Sequence, residues 1–221
     1  MSDVSTARQN MVDCQVRPSD VTDLRIIDAM LEIPREAFVP GDRRALAYMD
    51  MDLDVGGTPA AKEYLIKPAV LAKMLQAAEI TEADRALVTG CATGYAAAVV
   101  ARLAGEVFAV ASTEEMAAAA RTALGNSGTA GVTVSSGPAG EGDPAYGPYD
   151  VIVLNGATEI EPETLYKQLK VGGRLVGVFA TTRPARATLV TRSPSDYGTR
   201  ALFDAAAPVL PGLERVPAFS F

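Results

Sequence analysis

Two glycines four residues apart carry the first chemical signal. The stretch Ala86 to Tyr95, "ALVTGCATGY", runs as an apolar segment into Gly90, Cys91, Ala92, Thr93 and Gly94. Small residues after a strand let the backbone approach a ligand closely, and a following helix start offers N–H donors. The G-x-x-x-G spacing equally suits a tight strand-to-helix turn that needs glycine for conformation alone. A carboxylate would separate the two readings. Sites for an adenosine ribose place an acid at the end of the next strand, about 20 residues past the glycines. That position holds Ala111, followed by Ser112, with Glu114 and Glu115 just beyond. Glu115 reads first as the capping-box partner of Ser112. Glu114 reads as an acid in the first helical turn, where acids are common.

Other chemistries are narrowed by what the chain lacks. It has no histidine, which removes the commonest general base, the commonest metal ligand and every Ser-His or Cys-His nucleophile scheme. Its two cysteines, Cys14 and Cys91, are far apart and have no metal-ligand spacing. Cys91 reads as a small neutral filler of the turn. No residue is nominated as catalytic and none as a metal ligand. Chemistry must then rest on a reactive cofactor, on carboxylates or on positioning. Twenty-seven acids against 20 bases give a net charge of -7 without a basic patch, so nucleic acid is not expected as a partner. Sparse cysteine, a polar start and no long apolar run point to a soluble cytoplasmic protein without a membrane span or signal peptide.

The elements that would hold this turn follow from periodicity. The 221 residues, 48% hydrophobic, suit one compact unit with a small appendage. "STARQNMVDCQV" places Met11, Val12 and Val16 on one helical side, ending at Pro18. A second helix follows, capped by Asp20 or Thr22, with Leu24, Ile27, Met30 and Leu31 at helical spacing. Residues 48–68 loop through Gly56, Gly57 and Pro59 and hold at most short strands. From Pro68 the signal sharpens. "PAVLAKMLQAAEI" is an amphipathic helix and "RALVTG" a buried strand. "YAAAVVARLAG" is a helix capped by Gly105, "EVFAVAS" a strand, and a helix then opens at Ser112. "VTVSSG" and "YDVIVLNGA" are strands, "EPETLYKQLKVGG" a helix, and "RLVGVFA", "ATLVTRS" and "RALFDAAAPVL" the last strands. Alternation with short links predicts an α/β fold. It has a mainly parallel sheet of about seven strands, helices on both faces and an antiparallel edge. The expected division is a helical or irregular extension over 1–67 packed on a main unit over 68–221. Asp13, Asp23 and Asp28 read as solvated helix faces. Tyr146 and Tyr149 read as packing anchors, and Phe219 and Phe221 as a covering tail.

On these residues the chain resembles the protein-L-isoaspartate O-methyltransferases. "MVDCQVRPSDVTDLRIIDAMLEIPREAFVP" and "YGPYDVIVLNGATEIEPETLYKQLKVGGRLVGV" follow the family pattern closely. The resemblance implies a Rossmann-like methyltransferase fold. It also implies S-adenosylmethionine held by Gly90, Cys91, Gly94 and Ser112, and a damaged protein or peptide engaged near Tyr64 and Ile66. If active, the chain would transfer methyl to an isoaspartyl carboxylate, a step that needs positioning and no base.

The departures fall at ligand positions. The family's "LEIGTGSGY" is here "LVTGCATGY", so an acid becomes Val88 and the middle glycine Ala92. The family's ribose glutamate falls on Ala111, and its adenine-side aspartate is missing from "SGP", Ser136 to Pro138. In "EYLIKP", Glu63 to Pro68, its substrate threonine falls on Tyr64 and its serine on Ile66. Each lost charge-assisted hydrogen bond is worth about 1.5–3 kcal/mol, roughly tenfold or more in affinity. These losses lean toward a lost or altered activity. The alternative to the enzyme is a non-catalytic binding or assembly module on the same fold. A nicotinamide nucleotide in the same crevice ranks below both.

Overall fold

A computed structural model describes residues 4–58 and 61–216. Its centre is a seven-stranded sheet in the order β5-β4-β3-β6-β7-β8-β9. Parallel pairs join β3 (Arg85–Thr89) to β4 (Glu106–Ala111) and to β6 (Tyr149–Thr158), β4 to β5 (Val132–Ser136), and β6 to β7 (Leu169–Phe179). The edge is antiparallel, from β7 to β8 (Arg186–Arg192) and on to β9 (Tyr197–Asp204). This is the expected doubly wound α/β arrangement. Strand order reverses between β3 and β6, and such a switch point opens a crevice at the carboxyl ends of the strands.

The parallel strands are nearly continuous in apolar residues because both faces are covered. Leu87, Val88, Ala109, Ile152 and Val153 are all fully buried. Helices α3 (Pro68–Ala78), α4 (Tyr95–Val100) and α5 (Glu114–Asn126) pack around them. The same apolar cluster takes in Met11, Val12 and Val16 from the first helical segment and Ile27 and Met30 from α2 (Leu24–Glu32). α1 (Val4–Met11) continues as a π-helical turn over Val12–Val16 and a 3-10 turn over Arg17–Ser19. Before α3, a two-stranded antiparallel hairpin forms from β1 (Leu53–Thr58) and β2 (Ala61–Leu65).

Several boundaries differ from the sequence expectation. Pro18 does not end the first helical segment; it sits within the 3-10 turn, which stops at Asp20 with φ 64°. The cap of α2 is Asp23, not Asp20 or Thr22. The Thr22 and Asp23 N–H groups both donate to the Gln76 side chain, holding the chain extended until Asp23 accepts from Arg25 N. α4 ends at Val100, well before Gly105. Gly105 instead permits close packing, since a Cβ there would lie 2.3 Å from Glu82 O. The helix expected over "EPETLYKQLKVGG" is only α6 (Glu163–Tyr166). Leu169 and Tyr149 pair across the sheet, and this pairing overrides the local helical pattern from Leu169 onward.

Asp13 and Asp28 are exposed, as expected, whereas Asp23 is partly covered. Tyr146 stacks on Phe108, and the buried Tyr149 hydroxyl donates to Asp143 O at 2.6 Å. Phe219 and Phe221 lie outside the described residues. Among the described residues no helix is long and apolar enough to cross a membrane. Among the described residues no cluster of three metal-ligating side chains occurs.

Candidate active site

The turn between β3 and α4 keeps an unusual backbone. Gly90, Ala92 and Gly94 all have positive φ, at 66°, 48° and 97°. Glycine adopts this region freely, whereas a side chain there costs roughly 1–2 kcal/mol. Ala92 therefore holds, under strain, a conformation made for glycine. Neighbouring elements over-determine it. Cys91 N donates to Val110 O at 3.0 Å, and the Thr93 hydroxyl donates to Phe38 O at 2.6 Å. The Thr89 hydroxyl donates to Ala139 O in the loop after β5.

Asn155 ties the turn to the hairpin. Its side-chain amide donates to Gly90 O at 3.0 Å and to Tyr64 O at 3.3 Å. A bulge in β6 aims it there. Val153 pairs with Val176 but Ala157 with Val178, so four steps of β6 face two of β7. The segment after β9 then lies across this edge. Ala157 N donates to Pro208 O, Leu210 N donates to Ala157 O, and Leu210 covers Gly90.

A cavity of about 980 Å³ opens beside this turn. Its walls come from the ends of the strands (Gly90, Ser112, Ala139), the start of α5 (Glu115, Met116), the hairpin (Gly56, Glu63) and the loop carrying Phe38. Among the described residues two carboxylates, Glu63 and Glu115, line it, and no lysine or arginine does. Glu63 is buried at 2% exposure, and burial raises its carboxyl above the usual range against the opposing hydrogen bond from Ser112. Its Oε1 has no hydrogen-bond partner.

The sequence-predicted residues separate here. Gly90 and Ser112 line the cavity. Cys91 is fully buried behind it, and burial, with the nearby Glu63 charge, pushes its thiol up to about 12. Such a thiol is neutral and inert at ordinary pH. Gly94 backs onto Ala120 and Leu124 of α5 rather than the cavity. Ile66 is in the core, and its carbonyl accepts from Arg35 Nη2 at 3.0 Å. Tyr64 is half-buried and meets Asn155 through its carbonyl. Ala111 is fully buried and does not line the cavity.

Ser112 does not cap α5. Thr113 does, with its side chain accepting from Met116 N at 3.1 Å. That frees Ser112 for Glu63 and Glu115 for the cavity, so the expected capping box is absent. Glu114 is exposed and pairs with Arg121 at 2.7 Å. Glu63 was not nominated from the sequence. Its signal was alternation in "KEYL", where Glu63 and Leu65 point inward and Lys62 and Tyr64 lie outward.

Comparison with known proteins agrees with this geometry. The family model described as Protein-L-isoaspartate(D-aspartate) O-methyltransferase (PCMT) matches residues 6–196. The protein-L-isoaspartate O-methyltransferase of Gloeobacter violaceus is 38% identical over 185 residues, spanning 83% of this chain and 88% of that one. Protein-L-isoaspartate O-methyltransferase 2 of Pelobacter propionicus is 38% identical over 169 residues, spanning 76% and 73%. A solved protein-L-isoaspartate O-methyltransferase superposes with TM-score 0.81 at 25% identity, covering 94% of this chain and 67% of that one. A Plasmodium falciparum protein described as a putative member, solved with S-adenosyl-L-homocysteine, shares the fold with TM-score 0.77 at 13% identity, covering 95% and 99%. With its core strands, hairpin and glycine turn all in place, the chain belongs to the protein-L-isoaspartate O-methyltransferase family.

Proposed function

We propose that the cavity binds S-adenosylmethionine and that the chain methylates isoaspartyl carboxylates in damaged proteins. The carrying observation is the turn. Three positive-φ residues persist beside the cavity although Ala92 makes one of them strained. Strain of this kind persists only where surrounding structure over-determines it, and it clusters at ligand sites.

The residues present fit the cofactor. Gly90 lines the cavity at the end of β3, Met116 and Ala139 offer apolar surface, and Ser112 with Glu63 offers polar groups. The bound cofactor supplies an electrophilic methyl on a sulfonium centre. The ionised acceptor needs no base, so the chain's own residues act by orienting and desolvating the two partners. Asn155 fixes the turn against the hairpin, and Thr93 fixes it against the Phe38 loop. The first tie holds the turn at one spacing from the hairpin wall, and the second holds it against the Phe38 loop. The two cavity acids favour a sulfonium cation over an anion.

One observation favours a non-catalytic second reading. Ile66, where the resemblance places the substrate serine, is buried in the core and offers no hydroxyl to an acceptor. The test is transfer of labelled methyl from S-adenosylmethionine to an isoaspartyl peptide, with its aspartyl isomer as control. Label on the isoaspartyl peptide alone supports the enzyme. Binding of the donor without transfer supports the binding module.

A further inference from the structure

Glu63 is out of place by ordinary folding energetics. A carboxylate at 2% exposure with an unpartnered oxygen destabilises a folded chain, and such groups are rare in native proteins. Among the described residues no lysine or arginine compensates it from the cavity wall. Its position explains what it could serve. Glu63 pairs with Gly56 across the hairpin, and Gly56 lies against the Met116 side chain in the first turn of α5. Glu63 thereby shares the cavity wall with Ser112, the residue directly after β4.

The strand beside the glycine turn is β4. In open nucleotide-binding sheets, the end of that strand is where a carboxylate accepts from ribose hydroxyls. The strand's own last residue, Ala111, is buried and apolar. Glu114 pairs with Arg121, and Glu115 lines the cavity from the first turn of α5, where it is exposed rather than buried at the strand end. Glu63 is the buried acid that arrives at this corner, from a different element. Glu63 lines the cavity beside Ser112, and its buried Oε1 has no hydrogen-bond partner among the described residues.

We infer that Glu63 is the ribose-binding carboxylate of this site, supplied by the hairpin instead of by β4. The inference rests on the cavity being an adenosyl site. The Glu63 carboxylate accepts from the ligand's ribose hydroxyls. The hairpin thus becomes part of the cofactor site, and its Asn155 tie to Gly90 couples the two walls.

The test compares wild type and Glu63→Gln by calorimetric titration with three probes: S-adenosylhomocysteine, 5′-methylthioadenosine and 2′,3′-dideoxyadenosine. The first two keep the ribose diol, and the second lacks the amino acid. The expected result is a similar loss for both diol ligands, roughly 10- to 100-fold, the range for one or two charge-assisted hydrogen bonds. Dideoxyadenosine binds both proteins equally. Loss for S-adenosylhomocysteine alone overturns the inference, because Glu63 would then meet the ammonium group. Equal binding of all probes to both proteins overturns it too. Failure of wild type to bind either diol ligand removes the adenosyl reading itself, a separable outcome. Thermal melting of ligand-free Glu63→Gln, at or above the wild-type midpoint, confirms that any loss of binding is not misfolding.

Discussion

Gly90→Ala tests whether the turn is fixed by conformation and by contact together. Gly90 has φ 66°, and a Cβ there would lie 2.4 Å from Leu210 Cδ2 and 3.2 Å from Leu210 Cγ. Left-handed strain on an alanine costs about 1–2 kcal/mol. Crowding a buried leucine adds about 1–3 kcal/mol. The smaller entropy of the unfolded alanine chain returns about 0.4–1 kcal/mol. The net loss is about 2–3 kcal/mol, and at this chain length it lowers Tm by roughly 5–10 °C. Denaturant unfolding of wild type, Gly90→Ala, Leu210→Ala and the double variant forms a cycle. Removing Leu210 relieves the contact but not the strain, so the glycine substitution then costs about 1 kcal/mol or less. The coupling energy is thus about 1–2 kcal/mol in favour of the double variant. A loss below about 0.5 kcal/mol for Gly90→Ala, or strict additivity, would refute the close packing of the tail segment on the turn.

Three further outcomes follow from single side chains. Burial holds the Glu63 carboxyl above its usual value. The folded chain therefore binds more protons than the unfolded one in that window, and stability falls as pH rises through it. Glu63→Gln removes this loss, so it melts higher than wild type at neutral pH, with an advantage that shrinks toward about pH 4; a lower neutral-pH midpoint contradicts the assignment. Arg174 donates to Ala78 O, Glu79 O and Asp84, and Arg174→Ala removes its donors from both carbonyls and leaves Asp84 with Thr81 N alone, at about 2–3 kcal/mol by urea unfolding. Burial opposes ionisation of Asp84, but its hydrogen bonds from Arg174 and Thr81 hold the carboxyl below the usual value. Its stabilisation is present above about pH 4 and lost below, and a pH series on the variant shows less of that acid loss. Asn155→Ala removes the side-chain donor from Gly90 O and Tyr64 O, costs about 1–3 kcal/mol and weakens S-adenosylhomocysteine binding; unchanged affinity would show that the two walls do not need the tie.

The sheet was legible because its signals are local and redundant. Apolar runs such as "RALVT" and "VIVL" stand between glycines and caps, and strand-helix alternation leaves few topologies. Boundaries decided by distant partners were not legible. Gln76 lies 53 positions from Asp23, whose N–H it accepts, and that contact sets the start of α2. The pairing of Leu169 with Tyr149 converts an expected helix into β7. The site divided in the same way. Gly90 and Ser112 follow from spacing along one strand-turn-helix unit. Glu63 reaches the same cavity from a hairpin 27 positions before Gly90, so no spacing rule points to it. Ala92 looked like the loss of a glycine. Its φ of 48° nevertheless lies in the region that glycine favours.

The central claim is that this retained shape still receives an adenosyl ligand. Calorimetric titration of the wild-type chain with S-adenosylhomocysteine tests it most directly. Saturable binding to one site per chain in the micromolar range is the predicted result. No heat at millimolar ligand would contradict it and leave the cavity to another occupant.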